Sequence, residues 1–283
     1  MTTSVDRLAT LYFFHPAQRI INRFSVELQI PILMYHSISN DPEPRSHPYY
    51  ATTTSPEVFD EHLQYLHSHK YVSLTLAEAA VILKSGHPIS GNHVVITFDD
   101  GFRDFYEVAF PSLQKYGLTG TMFLPTGFIG NSAKNFKGKP CLTWSEVKEL
   151  HRGGIEFGSH TVSHPKLVEM DAEKLRYELQ ASKVDIESRL GGTVGSFAYP
   201  FAFPETRRSF TSKLRDMLEE AGYQQGVTTS VGIAGAANHN LFLKRLPANS
   251  YDDIAFFRAK LEGGYDWLHR VQYISKTIKP RRG

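Results

Sequence analysis

The sequence predicts an α/β fold in which seven or eight parallel strands close into a barrel. Three observations carry this expectation. From Ile30 onward, short β-branched or aromatic runs alternate with longer stretches of helical periodicity, the pattern of repeated βα units around a parallel sheet. The 283 residues match the size of one α/β barrel domain. Two strand candidates end in paired carboxylates or imidazoles, and barrels of this kind build their sites at C-terminal strand ends.

Residues 1–29 carry a mixed helical pattern (Leu11, Ile20, Ile21, Phe24) and read as an N-terminal extension packing on the domain. The domain is expected over residues 30–270. Residues 271–283 read as a basic tail, with Lys279, Pro280, Arg281 and Arg282 as its frayed, solvated end. Strands are predicted at 30–36, 71–74, 94–99, 120–125, 155–160, 196–200, 225–229 and 243–247. Helices are predicted at 56–67, 105–116, 144–151, 171–190 and 211–221, with Gly191-Gly192 stopping the fourth. Segments 39–54 and 127–140, rich in Pro, Ser, Gly and charge, read as loops after strands and so as the rim of a site.

Composition narrows the function. With 41% hydrophobic and 21% charged residues the chain is of ordinary globular type, and a net charge of +2 with scattered Lys and Arg leaves no footprint for nucleic acid. The lone Cys141 excludes an intramolecular disulfide and a Cys-rich zinc site, so His and carboxylates must hold any metal. The apolar stretch 8–14 is broken by His15 and Pro16, so neither a secretory signal nor a transmembrane helix is read, and a cytoplasmic location is expected.

The run Val94-Val95-Ile96-Thr97-Phe98-Asp99-Asp100-Gly101 is a buried apolar strand ending in two carboxylates. Adjacent residues at a strand end point apart, so one Asp can bind a cation while the other stays free as a base. The blander reading, a helix cap beside a solvated Asp, competes on even terms for this run alone. A second strand ends Gly158-Ser159-His160-Thr161-Val162-Ser163-His164-Pro165, with two imidazoles spaced to meet one ion. Two His and one carboxylate at C-terminal strand ends make an open site that leaves positions for water and substrate. The third strand end, Ser196-Phe197-Ala198-Tyr199-Pro200-Phe201-Ala202-Phe203-Pro204, places Tyr199, Pro200 and Phe201 at the rim. Phe197 and Phe203 read as core.

These residues resemble the polysaccharide deacetylases that share the NodB homology domain, carbohydrate esterase family 4, over residues 30–250. Thr97-Phe98-Asp99-Asp100-Gly101 matches the family's first motif, and His160, Thr161 and His164 match its second. The resemblance implies a distorted (β/α)7–8 barrel and a divalent metal on Asp100, His160 and His164, zinc foremost, with cobalt, nickel or iron also suited. It implies Asp99 as the base acting on the attacking water, and a backbone N–H at Phe201 that holds the oxyanion. The opening Pro31-Ile32-Leu33-Met34-Tyr35-His36 and the run Phe98 to Tyr106 look like the subgroup that modifies poly-N-acetylglucosamine. An N-acetylated saccharide is the expected substrate.

Two departures stand out. Ala198 occupies the place of the family's third-motif Arg, and Leu243-Lys244-Arg245-Leu246 stands where a Leu-x-Leu-His motif ends. Arg245 is therefore expected to supply the positive charge beside Asp99 that Ala198 cannot. His36 and His239 are both candidates for the missing acid, and His36, ending the first strand, is expected to face the site and bind substrate. A carbohydrate-binding pseudoenzyme is the alternative from another class. A metal-free glycosidase using Asp99 and Glu156 is a third.

Overall fold

The computed structural model describes residues 4–22, 27–43, 48–87 and 89–278. Phe24 and the run Lys279 to Arg282 lie outside the described residues. The strands of the main sheet are β1 (Ile32–Tyr35), β2 (Tyr71–Leu74), β3 (Asn92–Phe98), β4 (Thr121–Leu124), β5 (Glu156–Ser159), β6 (Ser196–Ala198), β7 (Gln225–Val231) and β8 (Leu243–Pro247). All pair in parallel. Seven of them close in chain order, β1-β3-β4-β5-β6-β7-β8 and back to β1, while β2 lies along the first half of β3. This is the (β/α) barrel that the alternation of elements predicted, with the 71–74 strand outside the closed ring.

Strand parity sorts the side chains into two layers. Ile32, Val95, Phe123, Ala198, Val227 and Leu243 form an inner cluster. Leu33, Val94, Ile96, Phe98, Met122, Leu124, Phe157 and Phe197 face outward into the helical layer. Because both faces of each strand are covered, the strands read as continuous apolar runs. Gly158 is the residue that lets the interior close. A Cβ there would meet the Phe123 ring at 2.6 Å and the Ser196 carbonyl oxygen at 2.8 Å.

Helices start where the local chemistry permits. Ser55 caps Pro56–Ser68 by accepting from the Val58 amide, Asp171 caps Ala172–Leu190 at the Lys174 amide, and Gly191 ends the latter with φ +75°. The predicted single helix over 105–116 is a π-helical turn, Phe105–Ala109, running into Phe110–Lys115. Three helices were not anticipated: Leu76–Ser85, Ile254–Leu261 and Trp267–Ile278. The first plugs the N-terminal end of the barrel, burying Leu76, Ala79 and Leu83 with the inner cluster. Its Thr75/Glu78 capping box was readable in the sequence.

The N-terminal arm is helical from Val5 to Asn22 and lies against the two last helices. Among the described residues no helix is long and apolar enough to cross a membrane.

Replacing Gly158 with alanine should destabilise the barrel by about 1–3 kcal/mol through overpacking. The same change at Gly192, where a Cβ meets nothing within 4 Å, should be near neutral in urea unfolding.

Candidate active site

Asp99 follows β3 with the inward parity of Val95 and Thr97, which directs its carboxylate into the mouth of the barrel. There Arg245 of β8 meets it side-on. Nη1 donates to Oδ1 and Nη2 to Oδ2, both at 2.7 Å, while Nε donates to the Thr228 carbonyl at 3.0 Å. Both side chains are buried. Burial alone would raise the Asp99 carboxyl, but the Arg245 charge and its paired bonds, with His160, hold it well below the usual carboxylate range. The cation beside Asp99 thus comes from the last strand, as the sequence suggested.

Asp100 adopts φ +73°, which turns its carboxylate toward β5 rather than into the helical layer. Its Oδ1 lies 3.3 Å from His164 Nε2 and 3.8 Å from His160 Nε2. The three ligand atoms fall within 4.8 Å of one another, and all three residues are buried. Buried Asp100 Oδ1 has no hydrogen-bond partner, as expected of an oxygen reserved for a cation. His160 Nδ1 bonds the Ala198 carbonyl at 2.8 Å, which leaves Nε2 as the ligand atom. Burial pushes both imidazoles below their ordinary pKa, His164 to about 3, so each presents a neutral nitrogen. The donor set fits one divalent ion.

The loop carrying His164 is held in a strained form. Thr161 (φ +68°) and His164 (φ +53°) both occupy the left-handed region, unusual for a β-branched residue above all. Glu178, reaching up from Ala172–Leu190, compensates. Its Oε2 accepts from the amides of Val162 and Ser163 at 2.8 and 2.9 Å, and its Oε1 from Ser163 Oγ at 2.6 Å. Lys137 is the other residue that sequence reasoning missed. It sits in the hairpin Asn135–Phe136/Lys139–Pro140 and its Nζ donates to Asp100 Oδ2 at 2.9 Å. The 127–140 loop was predicted as rim, yet nothing in its composition marks one lysine.

These groups floor a cleft of about 600 Å³ lined also by Met34, His36, Tyr49, Tyr50, Phe201 and Val271. His36 lies among the charges of Asp100, Asp99, Lys137 and Arg245, and burial lowers its pKa against the pull of the two carboxylates. His239 stands apart, in a depression with Leu83, Lys84 and Leu241. Phe201 (φ +60°) is 45% exposed, and its ring stacks obliquely on His164 at 4.6 Å. Tyr199 and Pro200 are buried. Tyr199 is among the residues lining the cleft, and its ring packs on Phe203 at 5.1 Å. Glu156 is at the opposite barrel end, accepting from Thr121 Oγ1 and the Ala77 amide. It cannot pair with Asp99 across one substrate, which removes the two-carboxylate glycosidase.

Removing the Lys137 ammonium should tighten divalent-metal binding, because its positive charge at Asp100 Oδ2 opposes a second cation at Oδ1. Titration calorimetry of Lys137→Met should give a Kd lower by about tenfold. Glu178→Ala, which frees the strained loop, should raise that Kd by roughly 10–100-fold.

Residues 86–226 match the polysaccharide deacetylase family model. A Bacillus subtilis (strain 168) protein assigned to the polysaccharide deacetylases, YxkH, is 32% identical over 206 residues, covering 73% of this chain and 66% of its own length. The poly-β-1,6-N-acetyl-D-glucosamine N-deacetylase of Staphylococcus aureus (strain MRSA252) is 32% identical over 131 residues, 46% of this chain. The chain spans only 44% of that protein. Among solved structures, the Streptococcus pyogenes deacetylase PplD, in complex with acetate, superposes with a TM-score of 0.72 at 28% identity, over 83% of this chain and 99% of that one. On the motifs, the barrel and these relatives, the chain belongs to the polysaccharide deacetylase family.

Proposed function

We propose that the protein is a metal-dependent hydrolase that removes N-acetyl groups from a saccharide. The observation that carries this reading is the division of labour between neighbouring carboxylates. Asp99 is locked to Arg245 and kept ionised, while Asp100 turns away with an unpartnered oxygen toward two neutral imidazoles. A base and a cation site side by side are what amide hydrolysis requires.

Asp100, His160 and His164 would hold the ion, with zinc the expected occupant and cobalt, nickel or iron compatible with the same donors. When bound, such an ion acidifies water and polarises an acyl oxygen. Asp99 takes the proton from the water as its oxygen adds to the acyl carbon. The Phe201 amide, in a residue whose ring contacts His164, would donate to the developing oxyanion. Breaking the C–N bond then needs a proton on the leaving nitrogen. His36, on the cleft lining outside the Asp-His-His group, is the imidazole that can pass on the proton Asp99 has taken, since His239 opens into a different depression. The products are acetate and a free amine.

Similarity to the Staphylococcus enzyme makes an N-acetylglucosamine polymer the leading substrate. Exposed Phe201 and Tyr50, on the cleft lining, offer rings for sugar faces. The pseudoenzyme alternative draws on the missing third-motif Arg and fifth-motif His, and the contact of Arg245 with both Asp99 oxygens supports a substitute for the first.

Protein purified without chelator should contain one divalent ion by mass spectrometry and release acetate from N-acetylglucosamine oligomers. Asp100→Ala and His160→Ala should lose both ion and activity. An ion-free wild type would sink the metal site and leave a binding protein. Asp99→Asn should keep the ion and lose roughly 10²–10⁴-fold in kcat. Arg245→Ala should raise the Asp99 pKa, so that the base stays protonated to higher pH and the acidic limb of the kcat/KM profile moves upward. An unmoved limb would remove Arg245 from the mechanism.

A further inference from the structure

The N-terminal arm is amphipathic in an inverted sense. Its polar side faces the protein. Asp6 Oδ2 accepts from Tyr265 OH at 2.6 Å, Arg7 pairs with Asp253, Trp267 Nε1 donates to Thr10 Oγ1 at 3.0 Å, and His15 bonds Glu262 at 2.7 Å. Its apolar side faces out. Tyr12, Phe13, Ile20 and Ile21 are 71%, 73%, 61% and 55% exposed, and with Val5, Leu8, Pro16 and Ala17 they recur at the spacing of one helical stripe. A surface helix of a globular protein ordinarily does the reverse, so this stripe is built for an apolar partner.

The stripe continues onto a second element. Phe14 stacks on Trp267 with ring centroids 4.6 Å apart, and the helix Trp267–Ile278 adds exposed Val271 and Ile274. Val271 also lines the cleft, so the apolar face adjoins the mouth of the site. Charge selects the partner. Residues 4–22 and 267–283 contain seven Lys and Arg (Arg7, Arg19, Arg270, Lys276, Lys279, Arg281, Arg282) against a single carboxylate, Asp6, although the whole chain carries only +2. That carboxylate is turned inward to Tyr265. The neighbouring carboxylates Asp253 and Glu262 are paired, with Arg7 and with His15 and Arg258, and aromatic and aliphatic side chains on one face of segments whose own sequence is rich in Lys and Arg match the interface of an anionic bilayer.

We infer that the arm and the last helix together form a surface that docks onto an anionic lipid membrane, lying in the interface without spanning it. The inference is independent of the deacetylase chemistry. Docking would hold the cleft mouth close to the lipid headgroups.

The test is co-sedimentation of the full chain with vesicles of phosphatidylglycerol and phosphatidylcholine, and with vesicles of phosphatidylcholine alone. Binding to the anionic vesicles is expected, about tenfold or more stronger than to neutral ones. Tyr12→Ser/Phe13→Ser/Ile20→Ser/Ile21→Ser should cut partitioning by at least about tenfold, with circular dichroism, melting temperature and acetate release from soluble oligomers unchanged. Arg19→Gln/Arg270→Gln, which leaves the apolar stripe intact, should weaken binding to anionic vesicles only. Absence of vesicle binding, or equal binding by wild type and the serine variant, overturns the proposal. So does self-association in analytical ultracentrifugation that the serine variant abolishes, which would make the face a contact between copies.

Discussion

The buried pair between Arg245 and Asp99 is the interaction on which the rest of the site depends. An isolated carboxylate in the barrel mouth would be pushed toward its neutral form, and a protonated Asp99 could not accept a proton. The guanidinium meets both carboxylate oxygens and spends its third donor on the Thr228 carbonyl, so the pair is satisfied internally and held in one geometry. A buried ion pair of this kind is weak grounds for stability. Its value here is to fix the protonation state and aim of one side chain.

Around that pair, backbone conformation does work that side chains alone cannot. Asp100, Thr161, His164 and Phe201 all take positive φ, and all four surround the cation site. Such conformations persist only where surrounding structure compels them. Glu178 compels two of them by gathering the amides of Val162 and Ser163 between Thr161 and His164. Asp100, His160 and His164 are thus held together by the protein's own contacts.

Much of this was legible in the sequence, because it rests on periodicity and spacing. All eight strands, the closed parallel barrel and the convergence of Asp99, Asp100, His160 and His164 followed from apolar runs that end in charge. Arg245 was legible as well, since a strand that swaps a family histidine for Lys-Arg must place one of them inward. What escaped reading depends on contacts distant in sequence. Lys137 and Glu178 gain their roles from elements that meet only in the folded chain, and no local signal distinguishes them from other charged residues. The plug helix Leu76–Ser85 hid behind its composition, for Leu, Ala, Val and Ile make up most of it and blur the helical stripe.

The path of the chain around the barrel has a temporal side. Asp99 and Arg245 are 146 residues apart, and their strands belong to the early and final portions of the ring. As the polypeptide leaves the ribosome, the strand bearing Asp99 emerges long before its counter-charge exists. Until Arg245 arrives, sealing that strand into a core would bury an unpaired carboxylate, which disfavours partial barrels lacking their last strand. Closure of the ring and pairing of the carboxylate therefore coincide, since both wait on the strand that carries Arg245.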